Sequence, residues 1–133
     1  MHAEQRMKNL LLLVGQQEAS DIHLVVGRYP TLRVNGKLIP ITQDSVLTAA
    51  DTMALSDVLL DEASKKEFHE EGQVDFSYNF EDKARFRTNI FLQKGYISIT
   101  MRFVAERIRS LEELNVPTAL YNFTQYSQGL VLI

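Results

Sequence analysis

The 133-residue chain has no cysteine, which excludes disulfides, thiolate nucleophiles and cysteine-based zinc sites and fits a reducing, cytosolic compartment. It has no apolar run near the roughly 20 residues of a membrane span. Leu10 to Val14, preceded by Arg6 and Lys8, imitates a signal peptide, but Gln16, Gln17 and Glu18 follow at once and no small-x-small cleavage site appears. Only three histidines occur, without HxH or HExxH spacing, so no metal site is expected. A phosphate loop of the form G-x-x-x-x-G-K-[ST] is also missing. Gly36-Lys37 lacks the glycine five residues upstream and the Ser or Thr that should follow.

What is present suffices for one core: 45% of the residues are hydrophobic, and nothing in the chain suggests two full domains. The net charge is only -3, yet it is unevenly spread. Residues 83, 85, 87, 94, 102, 107 and 109 are basic against the single acid Glu106, so this stretch carries +6 and leaves -9 to the rest. A local cationic surface on an acidic protein suits a discrete anion such as a phosphate group better than a general polyanion, and nucleic acid is not an expected partner.

Hydrophobic spacing orders the elements. Ala3, Met7, Leu10, Leu11 and Val14 predict an amphipathic helix ending near Glu18. Residues 22–26 alternate as a strand. Leu32 and Val34 lead into Asn35-Gly36, a strong hairpin signal, with Lys37 to Ile41 returning. Thr48 and Asp51 form a capping-box pattern for a helix whose Ala50, Met53, Ala54 and Val58 should share the inner face. Asp61 caps a second helix that carries Ala63 and Phe68 inward and stops at Gly72. Three segments of period two follow. They place Val74, Phe76, Tyr78 and Phe80, then Phe86, Thr88, Ile90 and Leu92, then Ile97, Ile99, Met101 and Phe103, on one face of an antiparallel meander. Beyond Arg109, "SLEELNVP" reads as a capped turn stopped by Pro117 and "TALYNFTQYS" as another short helix. Leu130 to Ile133 is an apolar run of the kind that opens a strand buried on both faces. The expected fold class is α+β, an antiparallel sheet with helices on one face and a C-terminal linker.

If Lys94-Gly95 forms the centre of the last hairpin turn, opposed residues sum to 189 and Arg87 faces Arg102. Like charges directly opposite on a sheet are destabilising, so such a pair needs an anion, an acid or water between the guanidiniums. The planar fork of arginine suits a phosphate. The same pattern also fits solvated outer-face arginines, paired for instance with Asp75. Asp21 and His23, two apart on a strand, share a face. A carboxylate beside an imidazole can orient a base or a metal ligand, while an Asp after Ser20 at a strand start also serves as a structural cap. Tyr29 and Phe91 read as packing residues.

Taken in order and spacing, "ASDIHLVVGRYPTLRVNGKLIPI", "VDFSYNF", "ARFRTNIFLQKGYISITMRF", "SLEELNVPTAL" and "QGLVLI" resemble the N-terminal region of the PilT-type retraction ATPases of type IV pili and their secretion ATPase relatives, from about Val14 to Ile133. The resemblance implies a PAS-like N-terminal domain over 1–109. It also implies an interdomain linker over 110–133 that ends in the first strand of a RecA-like motor domain, so that the chain would be a fragment, inert as an ATPase on its own. It further implies Arg87 and Arg102, with Arg85 as a less certain third, as arginines that reach the γ-phosphate of ATP, and Asp21 and His23 as a structural motif. ATP and Mg are the implied ligands of the longer protein. The implied partners are its own RecA-like domain, further copies in a homo-hexamer, and an inner-membrane platform protein of the pilus or secretion machinery. The place of action would be the cytoplasm, peripheral to the inner membrane. A stand-alone PAS-like interaction or ligand-binding module is the other function considered.

Overall fold

The computed structural model describes residues 2–105 and 108–132. Met1, Glu106, Arg107 and Ile133 lie outside the described residues, and with them one cation and the one acid of the basic stretch and the last residue of the apolar C-terminal run. The opening helix, α1 (Ala3–Gln16), buries Met7, Leu10, Leu11 and Val14, the stripe its spacing predicts. Three strands follow, β1 (Asp21–Leu24), β2 (Thr31–Val34) and β3 (Lys37–Pro40), then α2 (Ala49–Leu59) and α3 (Glu62–Glu71), and then the meander β4 (Gln73–Phe80), β5 (Ala84–Gln93) and β6 (Tyr96–Val104). β1 is shorter than expected: Val25 and Val26 leave the ladder for a loop that turns at Gly27, φ +79°.

All six strands join one antiparallel sheet in the order β3-β2-β1-β6-β5-β4. Both tight hairpins use a residue pair with positive φ at each position, Asn35 (+49°) with Gly36 (+77°) and Lys94 (+52°) with Gly95 (+81°). That is the backbone a two-residue turn needs to match strand twist. One face of the sheet is apolar, with Ile22, Leu24, Leu32, Val74, Phe86, Ile90, Ile99 and Met101 all buried against α1 and α2. Each such aliphatic side chain contributes about 1.5 to 3 kcal/mol by leaving water. The other face carries the alternate residues, including every arginine of interest.

The capping box at α2 forms as predicted: Thr48 accepts from the Asp51 backbone and Asp51 accepts from the Thr48 backbone. Arg6 of α1 grips the same Asp51 at 2.6 Å and Asp44 at 2.8 Å, which ties the two helices together at one end. The inner face of α2 differs from the expectation. Thr52, Leu55, Ser56 and Leu59 are buried, whereas Met53 is 58% exposed. Hydroxyl groups at the buried positions made the face look polar, but Thr52 donates to the Ala49 carbonyl and Ser56 to the Met53 carbonyl, so neither hydroxyl enters the core unpaired. On α3, capped by Asp61 and closed at Gly72 in the left-handed region, Phe68 is partly buried but Ala63 is exposed.

Among the described residues, the C-terminal segment adds none to the buried core. Ser110 and Glu113 cap a turn reciprocally, and a 3₁₀ helix spans Thr118–Gln125. Residues 130–132 form no strand, and Leu130 and Leu132 are exposed, because among the described residues no strand offers them a ladder. No helix among the described residues is long and apolar enough to cross a membrane.

The two faces of α2 separate in a stability measurement. Leu55→Ala is expected to cost about 2 to 5 kcal/mol in urea unfolding, and Met53→Ala less than about 0.5 kcal/mol.

Candidate functional site

The registers place a row of ionic side chains across the polar face. Arg33 on β2 stands opposite Asp21 on β1, Asp21 opposite Arg102 on β6, and Arg102 opposite Arg87 on β5. The last pairing is the one the sum of 189 predicts. Asp75 on β4 lies diagonal to Arg87, one step from its direct partner Ser77. Across the sheet the signs therefore run plus, minus, plus, plus, minus.

The two facing guanidiniums are each neutralised from their far side. Arg102 donates from Nε to Asp21 Oδ1 at 3.0 Å, and Arg87 donates from Nε and Nη2 to Asp75 at 3.3 and 3.5 Å. The acids flank the pair, on β1 and β4, and the contact of Arg87 with Asp75 is the one that the reading as solvated outer-face arginines names. The repulsion is met by attraction pulling outward. Both arginines stay open to solvent, with side chains 73% (Arg87) and 71% (Arg102) exposed. Arg85, on the same face one step nearer the β4–β5 turn, donates to Asn79 at 3.3 Å.

Asp21 is the buried member, with its side chain 5% exposed. Its second oxygen takes the Ser20 hydroxyl at 2.6 Å and an ion pair with Arg33 Nε at 3.4 Å. Burial pushes this carboxyl up, but hydrogen bonds from Ser20 and Arg102 and the Arg102 charge outweigh it and hold it below the usual carboxylate range. His23, the next outward residue of β1, sits 3.4 Å from the Thr100 hydroxyl through Nδ1. Burial, helped by the charges of Arg33 and Arg102, lowers its pKa against the pull of Asp21. With Asp21 committed to two arginines and a serine, the pair is not a base and its orienter. Among the described residues no group of three or more His, Asp or Glu could hold a metal.

Beyond His23 and Thr100 the polar face sinks into a groove of about 560 Å³, whose lining includes Tyr29, Phe91 and Tyr96 and the cations Arg28 and Lys94. Tyr29 and Phe91 thus line an open concavity rather than a closed core. Two features escape sequence reasoning here, the pairing of β1 with β6 and the part played by Arg33. Asp21 and Arg102 lie 81 residues apart, and no local signal names one as the partner of the other.

No family model matches the chain. Two curated relatives from Pseudomonas aeruginosa are similar to it: the type IV pilus ATPase PilU, 27% identical over 94% of this chain, and the type IV pilus retraction ATPase PilT, 31% identical over 93%. The chain spans about a third of their length, 32% and 36%, in their N-terminal portion. The crystal structure of the pilus retraction motor PilT with bound ADP superposes with a TM-score of 0.73 at 28% identity, covering 90% of this chain and 35% of that one. The Yersinia pseudotuberculosis ATPase DotB shares the fold, with a TM-score of 0.75 at 18% identity, covering 91% of this chain and 35% of its own.

The lowered carboxyl of Asp21 sets a pH dependence. Its stabilisation is complete above the unfolded carboxylate pKa and is lost as pH falls through the lower folded value. Asp21→Asn is expected to destabilise the chain by about 1 to 3 kcal/mol near pH 7. The gap to wild type in thermal unfolding should then close as the pH is taken down toward 2.

Proposed function

We propose that this chain, whose homologues are type IV pilus ATPases, is the phosphate-sensing N-terminal module of an ATP-driven motor for pilus retraction or related secretion. The observation that carries this reading is the facing pair Arg87 and Arg102, exposed, opposed across one hairpin and backed by acids only on their outer sides. Such a strip is a half-site for an anion: it supplies charge-assisted donors and lacks the glycine-rich cradle that would hold a nucleotide alone. The cradle belongs to a RecA-like ATPase domain, the module's principal partner. In this reading ATP bound there with Mg offers its terminal phosphate to Arg87 and Arg102, with Arg85 as a third contact. The residues of the row suit a phosphate and not Mg²⁺, since both acids are already engaged by arginines.

Function then follows from a differential interaction. The arginines gain charge-assisted hydrogen bonds while the terminal phosphate is in place and lose them when it leaves, so phosphate state biases the orientation of the module. Residues 110–127, which bury nothing in the core, serve as the hinge. In a homo-hexamer working on an inner-membrane platform protein, that bias becomes directed movement.

The aromatic groove favours a second reading, a ligand-binding module of PAS type, in which the occupant sits among Tyr29, Phe91 and Tyr96. Small-molecule binding that survives loss of both arginines would support it.

The test is steady-state ATP hydrolysis by the protein that carries this chain together with its ATPase domain. Arg102→Ala and Arg87→Ala are each expected to lower the rate about tenfold or more with hexamers intact, since loss of an arginine contact to a transferring phosphate can cost about 10³-fold or more. Unchanged rates would make the domain a docking module. The chain alone is expected to show no hydrolysis above background.

A further inference from the structure

The two arginines of the pair are held very differently. Arg87 leans on Asp75, an acid that is itself half exposed, through bonds of 3.3 and 3.5 Å, one of which occupies a terminal Nη nitrogen. Arg102 leans on an acid that cannot follow it into solvent. The Asp21 carboxylate is engaged at both oxygens, Oδ1 by Arg102 and Oδ2 by Ser20 and Arg33, and these partners come from both neighbouring strands and from the residue before β1. Rotating the carboxylate would break all of these contacts at once, in a place where water can hardly replace them.

The atom used on Arg102 matters as much. The bond to Asp21 is made by Nε, on the inner edge of the guanidinium, and so does not draw on its two terminal nitrogens. A phosphate gripped by an arginine fork needs two parallel N–H donors. Asp21 therefore restrains the shaft of an otherwise solvent-exposed side chain while leaving terminal donors for a ligand. Restricting rotamers before the ligand arrives removes an ordering cost that would otherwise be met in the complex.

From this geometry we infer that Asp21 is a positioning residue for Arg102, holding its guanidinium ready for the terminal phosphate. The inference rests on the reading that Arg102 meets that phosphate. Asp21 itself touches no ligand, and its effect is transmitted through one hydrogen bond.

The test is a double-mutant cycle on the protein that carries the ATPase domain, with Asp21→Asn, Arg102→Ala and the pair, read as kcat at saturating ATP alongside thermal unfolding. Asp21→Asn is expected to lower kcat about tenfold, within the roughly 100-fold that an ångström of misplacement can cost. In the Arg102→Ala background it should add nothing. A merely structural Asp21 would multiply with Arg102→Ala, and that result would overturn the inference. So would a folded Asp21→Asn protein with full kcat beside an impaired Arg102→Ala, although the phosphate contact would then stand. If Arg102→Ala leaves hydrolysis unchanged, the phosphate contact fails and the inference fails with it. Should Asp21→Asn not fold, the wild-type chain decides by NMR. The Arg102 Nε–H proton is expected to exchange slowly and to shift as Asp21 is protonated, and exchange as fast as that of an unpaired arginine in water would overturn the inference.

Discussion

The antiparallel pairing of β1 with β6 is the constraint on which everything else depends. It joins a small hairpin system, β1 to β3, to a long meander, β4 to β6, each of which is built from near neighbours in sequence. The same ladder does two tasks because side chains alternate along a strand. Ile22 meets Met101 and Leu24 meets Ile99 on the buried side, while Asp21 meets Arg102 and His23 meets Thr100 on the other. A slip of one residue would carry the acid into the core and the isoleucine into water. The apolar contacts thus enforce the register that the ionic row needs, and the core and the candidate site are two consequences of one pairing.

Electrostatics on the polar face follow from strand order. Two arginines face each other where a cross-strand pair of like charge is unfavourable by itself, yet each has an acid on its far strand. Those acids differ in kind: Asp75 shares water with its partner, whereas Asp21 is enclosed and doubly paired. Surface ion pairs of the first sort are worth little and are screened by salt. Enclosed ones resist breaking because the stranded charge has no water to turn to. A pair built in this way is asymmetric, with one arginine on an enclosed acid and the other on an exposed one.

The charged row and the groove are continuous through His23 and Thr100. The polar face is in this sense divided into an ionic end and an aromatic end on one rigid sheet.

Much of this could be read from the residues in order. Period-two alternation from Val74 to Phe103, the two glycine turns, the capping box at Thr48 and the opposition of Arg87 and Arg102 are all local, set by torsional preference and by contacts within one hairpin. The inner face of α2 differs from its hydrophobic pattern because hydrophobicity alone cannot register that Thr52 and Ser56 satisfy their hydroxyls on their own helix. The role of Asp21 was hidden for a different reason. By itself the sequence determined the alternation of the meander and the arginine pair, since each is set within one hairpin. Only the tertiary structure decided which acid would hold Arg102, because a carboxylate 81 residues distant becomes a neighbour through burial of apolar surface on the opposite face, and that burial is a property of the whole sheet.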